Sequence, residues 1–164
     1  EDLSLAIEEA RMHDPKVLVE QGISGREIEC AALEGRRGMP TRASVGGEVV
    51  VDAAAADLYD YESKYLADDN ARTEAPARLT DEQAASLQEQ AIVAYDALGC
   101  EGPARVDFFL DEAGEWIINE INTMPGFTPI SMYPQLWAAS GLPYEDLITE
   151  LITLALERRA GLLR

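Results

Sequence analysis

The sequence predicts a mixed α/β domain (α+β) in which a largely antiparallel sheet is flanked by helices. Three patterns lead there. Two β-like runs, residues 104–110 and 116–122, surround a Gly-containing turn; residues 80–98 carry a full set of helix signals; and residues 17–34 read as strand, turn, strand.

From the N-terminus, residues 2–13 place Leu3, Ile7 and Ala10 at helical spacing. Asp14-Pro15 ends that helix, because a residue before proline avoids the α region. Val17-Leu18-Val19 reads as a short buried strand, Gly22, Ser24 and Gly25 as a turn, and residues 26–34 as a second strand. Residues 35–47, rich in glycine and basic side chains, lead to a short β run at Val49-Val50-Val51. Residues 52–76 show neither period and read as a long loop. Its stretch Leu58-Tyr59-Asp60-Tyr61-Glu62-Ser63-Lys64-Tyr65-Leu66 is too aromatic for a solvated linker and is expected to fold onto something.

In residues 80–98, Thr80 is the N-cap and Gln83 completes a capping box. Leu87, Ala91, Tyr95 and Leu98 share a face, and Gly99 marks the stop. Two more helices are predicted, over residues 131–140 with Pro134 in the first turn and over residues 143–159 with Leu147, Leu151 and Leu154 inward. Arg158-Arg159 suits the negative end of the last helix dipole.

Composition narrows the function. With 164 residues, 47% of them hydrophobic, the chain can bury one substantial core. Thirteen basic residues against 31 acidic ones give a charge of -18, which repels nucleic acid and anionic membranes unless a cation intervenes. No apolar run approaches the ~20 residues of a membrane span, and the first residues lack a signal-peptide pattern, so a soluble, cytoplasmic protein is expected. Cys30 and Cys100 read as buried reduced thiols, with a single disulfide as the other option. His13 is the lone histidine, which leaves little material for a His base or a His metal cluster. Phosphate-loop, dinucleotide-fold, zincin and nucleophile-elbow motifs are all absent.

The hairpin carries the chemistry. If its loop is residues 112–115, Asp111 opposes Trp116, Asp107 opposes Glu120 and Arg105 opposes Asn122, all on one side of the ladder. Two carboxylates directly opposite each other lie about 5 Å apart and repel, so something positive must sit between them. With the Asn122 amide they form an oxygen-only set suited to Mg²⁺ or Mn²⁺ rather than zinc, of the few-ligand kind completed by water and nucleotide phosphates. The other reading makes Asp107 and Glu120 solvated outer-face residues paired with Arg105. A one-residue register shift would favour it. If repulsion dominates, Asp107→Asn and Glu120→Gln should abolish turnover yet disturb the fold little.

Lys64 is one of two lysines in a chain with eleven arginines. It could hold a phosphate, or simply lie over Tyr61 or Tyr65. Glu20 and Glu27 flank the polar turn Gln21-Gly22-Ile23-Ser24-Gly25-Arg26, which could bond a nucleoside or be a solvated rim.

The runs Leu98-Gly99-Cys100-Glu101-Gly102-Pro103-Ala104-Arg105-Val106-Asp107-Phe108-Phe109 and Ile118-Asn119-Glu120-Ile121-Asn122-Thr123-Met124-Pro125-Gly126 closely resemble the D-alanine:D-alanine ligase family of ATP-grasp enzymes. The resemblance extends back through residues 59–66 and 19–27 and forward through Ser131-Met132-Tyr133-Pro134. It implies an ATP-grasp C-terminal lobe over residues 28–164, an active-site loop at about 53–76, and a remnant of the central ATP-binding subdomain and hinge over residues 1–27.

The reaction it implies is phosphorylation of one D-alanine by ATP and attack by a second, giving the dipeptide for peptidoglycan. Asp107, Glu120 and Asn122 would bind magnesium or manganese, two ions in all. Arg105 and the Gly126 N–H would stabilise the oxyanion. Lys64 would hold phosphates. Glu20, Gln21, Gly22, Ile23, Glu27 and Asn119 would hold the nucleotide, and Ser131 and Met132 would meet the second D-alanine. Tyr65, in the loop closing over the site, tilts the expectation toward the dipeptide. Family members carry an N-terminal domain and a fuller ATP-grasp subdomain, so this chain resembles the C-terminal part of a homodimeric enzyme and should catalyse little without the rest. The alternatives are another ATP-grasp carboxylate–amine ligase and a non-catalytic cation-binding module.

Overall fold

The structure, a computed structural model, describes residues 2–51, 71–128 and 130–158. A five-stranded sheet forms its centre. β1 (Gly25–Leu33) lies between β2 (Arg42–Val51) and β4 (Pro103–Asp111), with β3 (Ala71–Glu74) beyond β2 and β5 (Trp116–Asn122) beyond β4, every pairing antiparallel. α1 (Leu3–Arg11) precedes the sheet, α2 (Asp81–Ala97) lies between β3 and β4, and α3 (Met132–Ala139) and α4 (Tyr144–Glu157) follow β5 in the chain.

Side-chain alternation sorts the sheet into two cores. Ile28, Cys30, Val106 and Phe108 turn toward Leu87, Ala91 and Tyr95 of α2. Ala31 and Leu33 turn the other way, toward Met132, Tyr133 and Leu136 of α3 and Leu147 and Leu154 of α4. The predicted helices stand close to these bounds, and the Thr80–Gln83 capping box is present in both directions. Leu98 is the exception to its predicted inward face. It is the C-cap of α2 and 70% exposed.

Three expectations need correction. Val17-Leu18-Val19 is not a strand; Leu18 and Val19 are 79% and 57% exposed in the segment joining α1 to β1. A strand exists only through its ladder partner, which a three-residue apolar run does not supply. The β run at residues 49–51 is the end of a ten-residue strand. Its first part lacks an apolar pattern because Gly46 and Gly47 let helices approach both faces. A Cβ on Gly46 would stand 2.7 Å from Leu87 of α2, and one on Gly47 2.7 Å from both Leu136 and Met132 of α3. Finally, the long loop ends earlier than expected, since residues 71–74 form β3; residues 52–70 lie outside the described residues.

A bulge where β2 has two residues opposite Ala31 is sealed by a buried side chain. The Ala31 N–H donates to Ser44 Oγ at 2.9 Å, and Ser44 donates to the Val45 carbonyl at 2.7 Å. The helix predicted near the N-terminus forms, with Asp2 accepting from the Ser4 N–H at 2.9 Å, yet α1 buries no residue. Local capping and spacing make a helix without assigning it a packing partner. Cys30 is buried, Cys100 half-buried, and both are free thiols. Burial pushes the Cys30 thiol up to about 12 despite hydrogen bonds with Ser44, so it is no nucleophile. Among the described residues no helix is long and apolar enough to cross a membrane.

Arg26 on β1 grips Glu48 on β2 with two hydrogen bonds, at 2.8 and 2.6 Å. That grip, chiefly the hydrogen bond and then the Arg26 charge, outweighs burial and holds the Glu48 carboxyl below its ordinary range. A carboxyl with a depressed folded pKa stabilises the fold fully above its unfolded pKa and loses that contribution as pH falls through the folded one. Glu48→Gln is therefore expected to cost about 1 kcal/mol near neutrality, a modest figure because Arg26 is 38% exposed. The difference from wild type should shrink in urea titrations as the pH falls below the ordinary carboxylate range and the Glu48 carboxylate is protonated in the folded state.

Candidate functional site

The predicted register of the β4–β5 hairpin is present where the chemistry lies. Asp107 opposes Glu120 and Arg105 opposes Asn122. Nearer the turn the expectation fails. Leu110, not Asp111, opposes Trp116, and the ladder shifts between Asp107 and Phe108. Asn119 is the extra residue of that bulge, and without it Glu120 would fall on the other face. The turn itself is held by Asp111 Oδ1, which accepts from the Ala113 and Glu115 N–H groups at 2.9 Å each.

Pairing across β1 adds a residue the hairpin argument did not include. Glu29 is the Cα partner of Asp107, so Glu29, Asp107 and Glu120 stand abreast on three neighbouring strands. Glu27 shares their face two residues along β1, beside Phe109. The alternation in Glu27-Ile28-Glu29-Cys30 placed both glutamates on one face, but only the β1–β4 pairing brings Glu29 to the hairpin.

Arg105 supplies the positive charge this row requires. Its Nε and Nη2 donate to the two oxygens of Asp107, both at 2.7 Å, and Nε lies 3.2 Å from Glu29 Oε2. The side chains of Asp107, Glu29 and Arg105 are 4%, 9% and 18% exposed, so this network sits in a poorly solvated part of the face. Burial alone would lower the Arg105 pKa. The hydrogen bond to Asp107 and the charges of Glu29, Asp107 and Glu120 outweigh it and raise the value, so the guanidinium stays charged. Glu120, in contrast, is exposed.

The pairing of Asp107 with Arg105 is thus present, as the second reading of the hairpin anticipated, but Asp107 is buried rather than solvated. Among the described residues no group of three acidic, histidine or cysteine side chains is arranged to hold a metal. The donor chemistry nevertheless fits a hard divalent cation: two carboxylates opposite each other and an amide oxygen two pairs along on the same face, with no sulfur or imidazole. Each Asp107 oxygen accepts one bond from Arg105 and keeps a further lone pair, so a cation bound there would lie close to the guanidinium and repel it.

The loop after β5 forms the adjoining wall. Asn122 Oδ1 accepts from the Met124 N–H at 3.0 Å, which starts the turn. Phe127 packs between Tyr133 and Tyr144, at ring-centre distances of 5.9 and 5.5 Å, and its carbonyl accepts from the Tyr144 hydroxyl. Ser131, the N-cap residue of α3, bonds Thr128 through its hydroxyl instead of capping the helix. Gly126 faces it. A Cβ there would stand 3.0 Å from Ser131 Oγ, so the absent side chain allows the approach. Met132 is buried against Gly47, which leaves its backbone as the part able to meet a ligand.

Of the remaining candidates, Glu20, Gln21 and Gly22 are exposed and Ile23 half-buried in the segment before β1, and Asn119 is exposed on its bulge. Lys64 and Tyr65 lie outside the described residues.

A family profile described as D-ala D-ala ligase C-terminus matches residues 1–153. The D-alanine–D-alanine ligase of Paenarthrobacter aurescens (strain TC1) is 57% identical over 99% of this chain, and that of Streptomyces griseus 53% identical over 99%. The chain spans 43% and 40% of those two relatives, well under half of their length. Among solved structures, the D-alanine–D-alanine ligase from Coxiella burnetii superposes with a TM-score of 0.77 at 38% identity, over 94% of this chain and 38% of that one. A D-Ala:D-Ser ligase from Enterococcus faecalis gives 0.77 at 36% identity, over 93% of this chain and 43% of its own.

Proposed function

Because this chain belongs to the D-ala D-ala ligase C-terminus family, we propose that it is the C-terminal lobe of an ATP-dependent ligase that joins two D-alanines for peptidoglycan synthesis. The observation that carries the reading is the hairpin register, which sets Asp107 against Glu120 and Arg105 against Asn122 on one face. Residues 28–164 form the catalytic lobe, with its active-site loop in the stretch that precedes β3, and residues 1–27 belong to the hinge and central subdomain. The binding site for the first D-alanine and the second nucleotide-gripping lobe lie in the part of the relatives that this chain does not span, so turnover is a property of the full-length protein. That protein works in the cytoplasm as a homodimer.

In this reading Asp107, Glu120 and Asn122 hold two magnesium or manganese ions, which when bound supply charge neutralisation for the nucleotide phosphates. Lys64 binds phosphate oxygens and Tyr65 helps to close the loop. Glu20 accepts from the adenine amine, Gln21, Gly22 and Ile23 offer hinge backbone, and Glu27 and Asn119 complete the nucleotide contacts. The Arg105 guanidinium and the Gly126 N–H stand where negative charge develops on the attacked carboxyl carbon's oxygen, and fixed donors there lower the barrier without reorganising. Ser131 Oγ and the Met132 N–H orient the second D-alanine, whose amine attacks the acyl phosphate.

The test is ADP release by the full-length protein with ATP, Mg²⁺ and one of D-alanine, D-serine, D-lactate or L-alanine, with the product identified. ADP and D-alanyl-D-alanine should appear together with D-alanine. Absence of D-alanine-dependent ADP release would overturn the assignment, and preference for D-serine or D-lactate as second substrate would restrict it to another member of the carboxylate–amine ligases.

A further inference from the structure

The three carboxylates abreast carry three negative charges, and Arg105 returns one. Among the described residues the row therefore stays negative, and Glu29 contributes one of its charges. Geometry adds a constraint. Arg105 occupies both oxygens of Asp107 at 2.7 Å while its Nε also reaches Glu29 at 3.2 Å. A cation drawing on the remaining lone pairs of Asp107 repels the guanidinium and weakens its bonds there. An arginine without another buried partner would have to leave the face or keep the cation out.

Resting on the metal role of Asp107 proposed above, we infer that Glu29 is a positioning residue that retains Arg105 on the sheet face when Asp107 turns to a divalent cation. The guanidinium hands its main hydrogen bonds from Asp107 to Glu29, one partner along the same row, and so stays beside the reacting carboxyl group while the cation binds. Both partners stand ready on adjacent paired strands, which makes the exchange a side-chain rotation rather than a backbone movement. No bond other than hydrogen bonds changes, and no proton moves.

The test is a double-mutant cycle in the full-length protein, reading Mn²⁺ affinity directly from the paramagnetic signal of free Mn²⁺, with and without ADP. Glu29→Gln should weaken Mn²⁺ binding about tenfold or more, since the arginine then stays on Asp107. In an Arg105→Met background the same substitution should have little effect, because no guanidinium remains to be held. Equal losses in both backgrounds would make Glu29 a direct ligand and overturn the inference. Unchanged affinity in a folded Glu29→Gln protein with a lowered Tm would reduce Glu29 to a structural partner and overturn it as well. Glu29→Asp, which keeps the charge but draws it back by one carbon, should fall between wild type and Glu29→Gln; it also serves if the Gln variant does not fold. Asp107→Asn is the control for the underlying site. If that change leaves Mn²⁺ affinity intact, the metal reading itself fails, independently of Glu29.

Discussion

Asp107→Ala is expected to lower D-alanine-dependent ADP release by the full-length protein at least about a hundredfold to a thousandfold, the range seen when a preorganised charge-stabilising group is removed. It should also destabilise the fold by about 3 kcal/mol, the lower end for breaking one partner out of a buried ion pair. The lower end applies because Arg105 keeps Glu29 at 3.2 Å as a second partner. This differs from what the sequence suggested. Repulsion between Asp107 and Glu120 made neutralising either seem harmless to the fold, but Asp107 is 3% exposed and grips Arg105 with both oxygens. Asp107→Asn retains one acceptor oxygen and should therefore cost less stability for a similar loss of turnover. Glu120→Gln, at an exposed position, should lose turnover with almost no change in stability. Steady-state kinetics and urea unfolding of the three variants in metal-free buffer separate the two effects. A near-normal rate in Asp107→Ala would remove Asp107 from the chemistry.

Gly47→Val is expected to destabilise the protein by about 3 kcal/mol, the upper part of the range for overpacking a filled core. The first carbon of the new side chain would lie 2.7 Å from Leu136 Cδ2 and from Met132 Sδ, and the two methyls beyond it have no room. Both displaced residues belong to α3 and are buried, so they must repack within the core or carry the helix away from the sheet. Ser131 is its N-cap residue and Gly126 lies against Ser131, which links the packing defect to the wall of the site. The variant should thus show a lowered Tm together with a raised KM for the second D-alanine. Gly38→Ala is no suitable control because of its φ of +78°. Gly22→Ala, with open space around it, is one for stability. An unchanged Tm in Gly47→Val would show that α3 does not press on β2 as described.

Local chemistry was legible because it is written in short windows. The capping box of Thr80 and Gln83, the stop at Gly99 and the strand alternation around Asp107 need only a few consecutive residues, and each is present. The family was legible for a similar reason: its motifs are runs of adjacent residues with several specific side chains apiece. β2 resisted, because Gly46 and Gly47 serve helices on opposite faces of the sheet and therefore carry no apolar signal of their own. Val17-Leu18-Val19 misled in the opposite sense, being apolar with β-branched valines at both ends yet no ladder partner among the described residues.

Which side chains share a face within each strand follows from the order of residues, since a strand's side chains alternate, but the turn alone would have left Glu120 on the face opposite Asp107. That Glu29 joins Asp107 and Glu120, that Arg105 spans Asp107 and Glu29, and that Asn119 bulges to keep Glu120 on their side follow from the packing of β1 against β4 and β4 against β5. Contacts of that kind join residues far apart in the chain, and their energies depend on burial and on neighbouring charges that no short window contains.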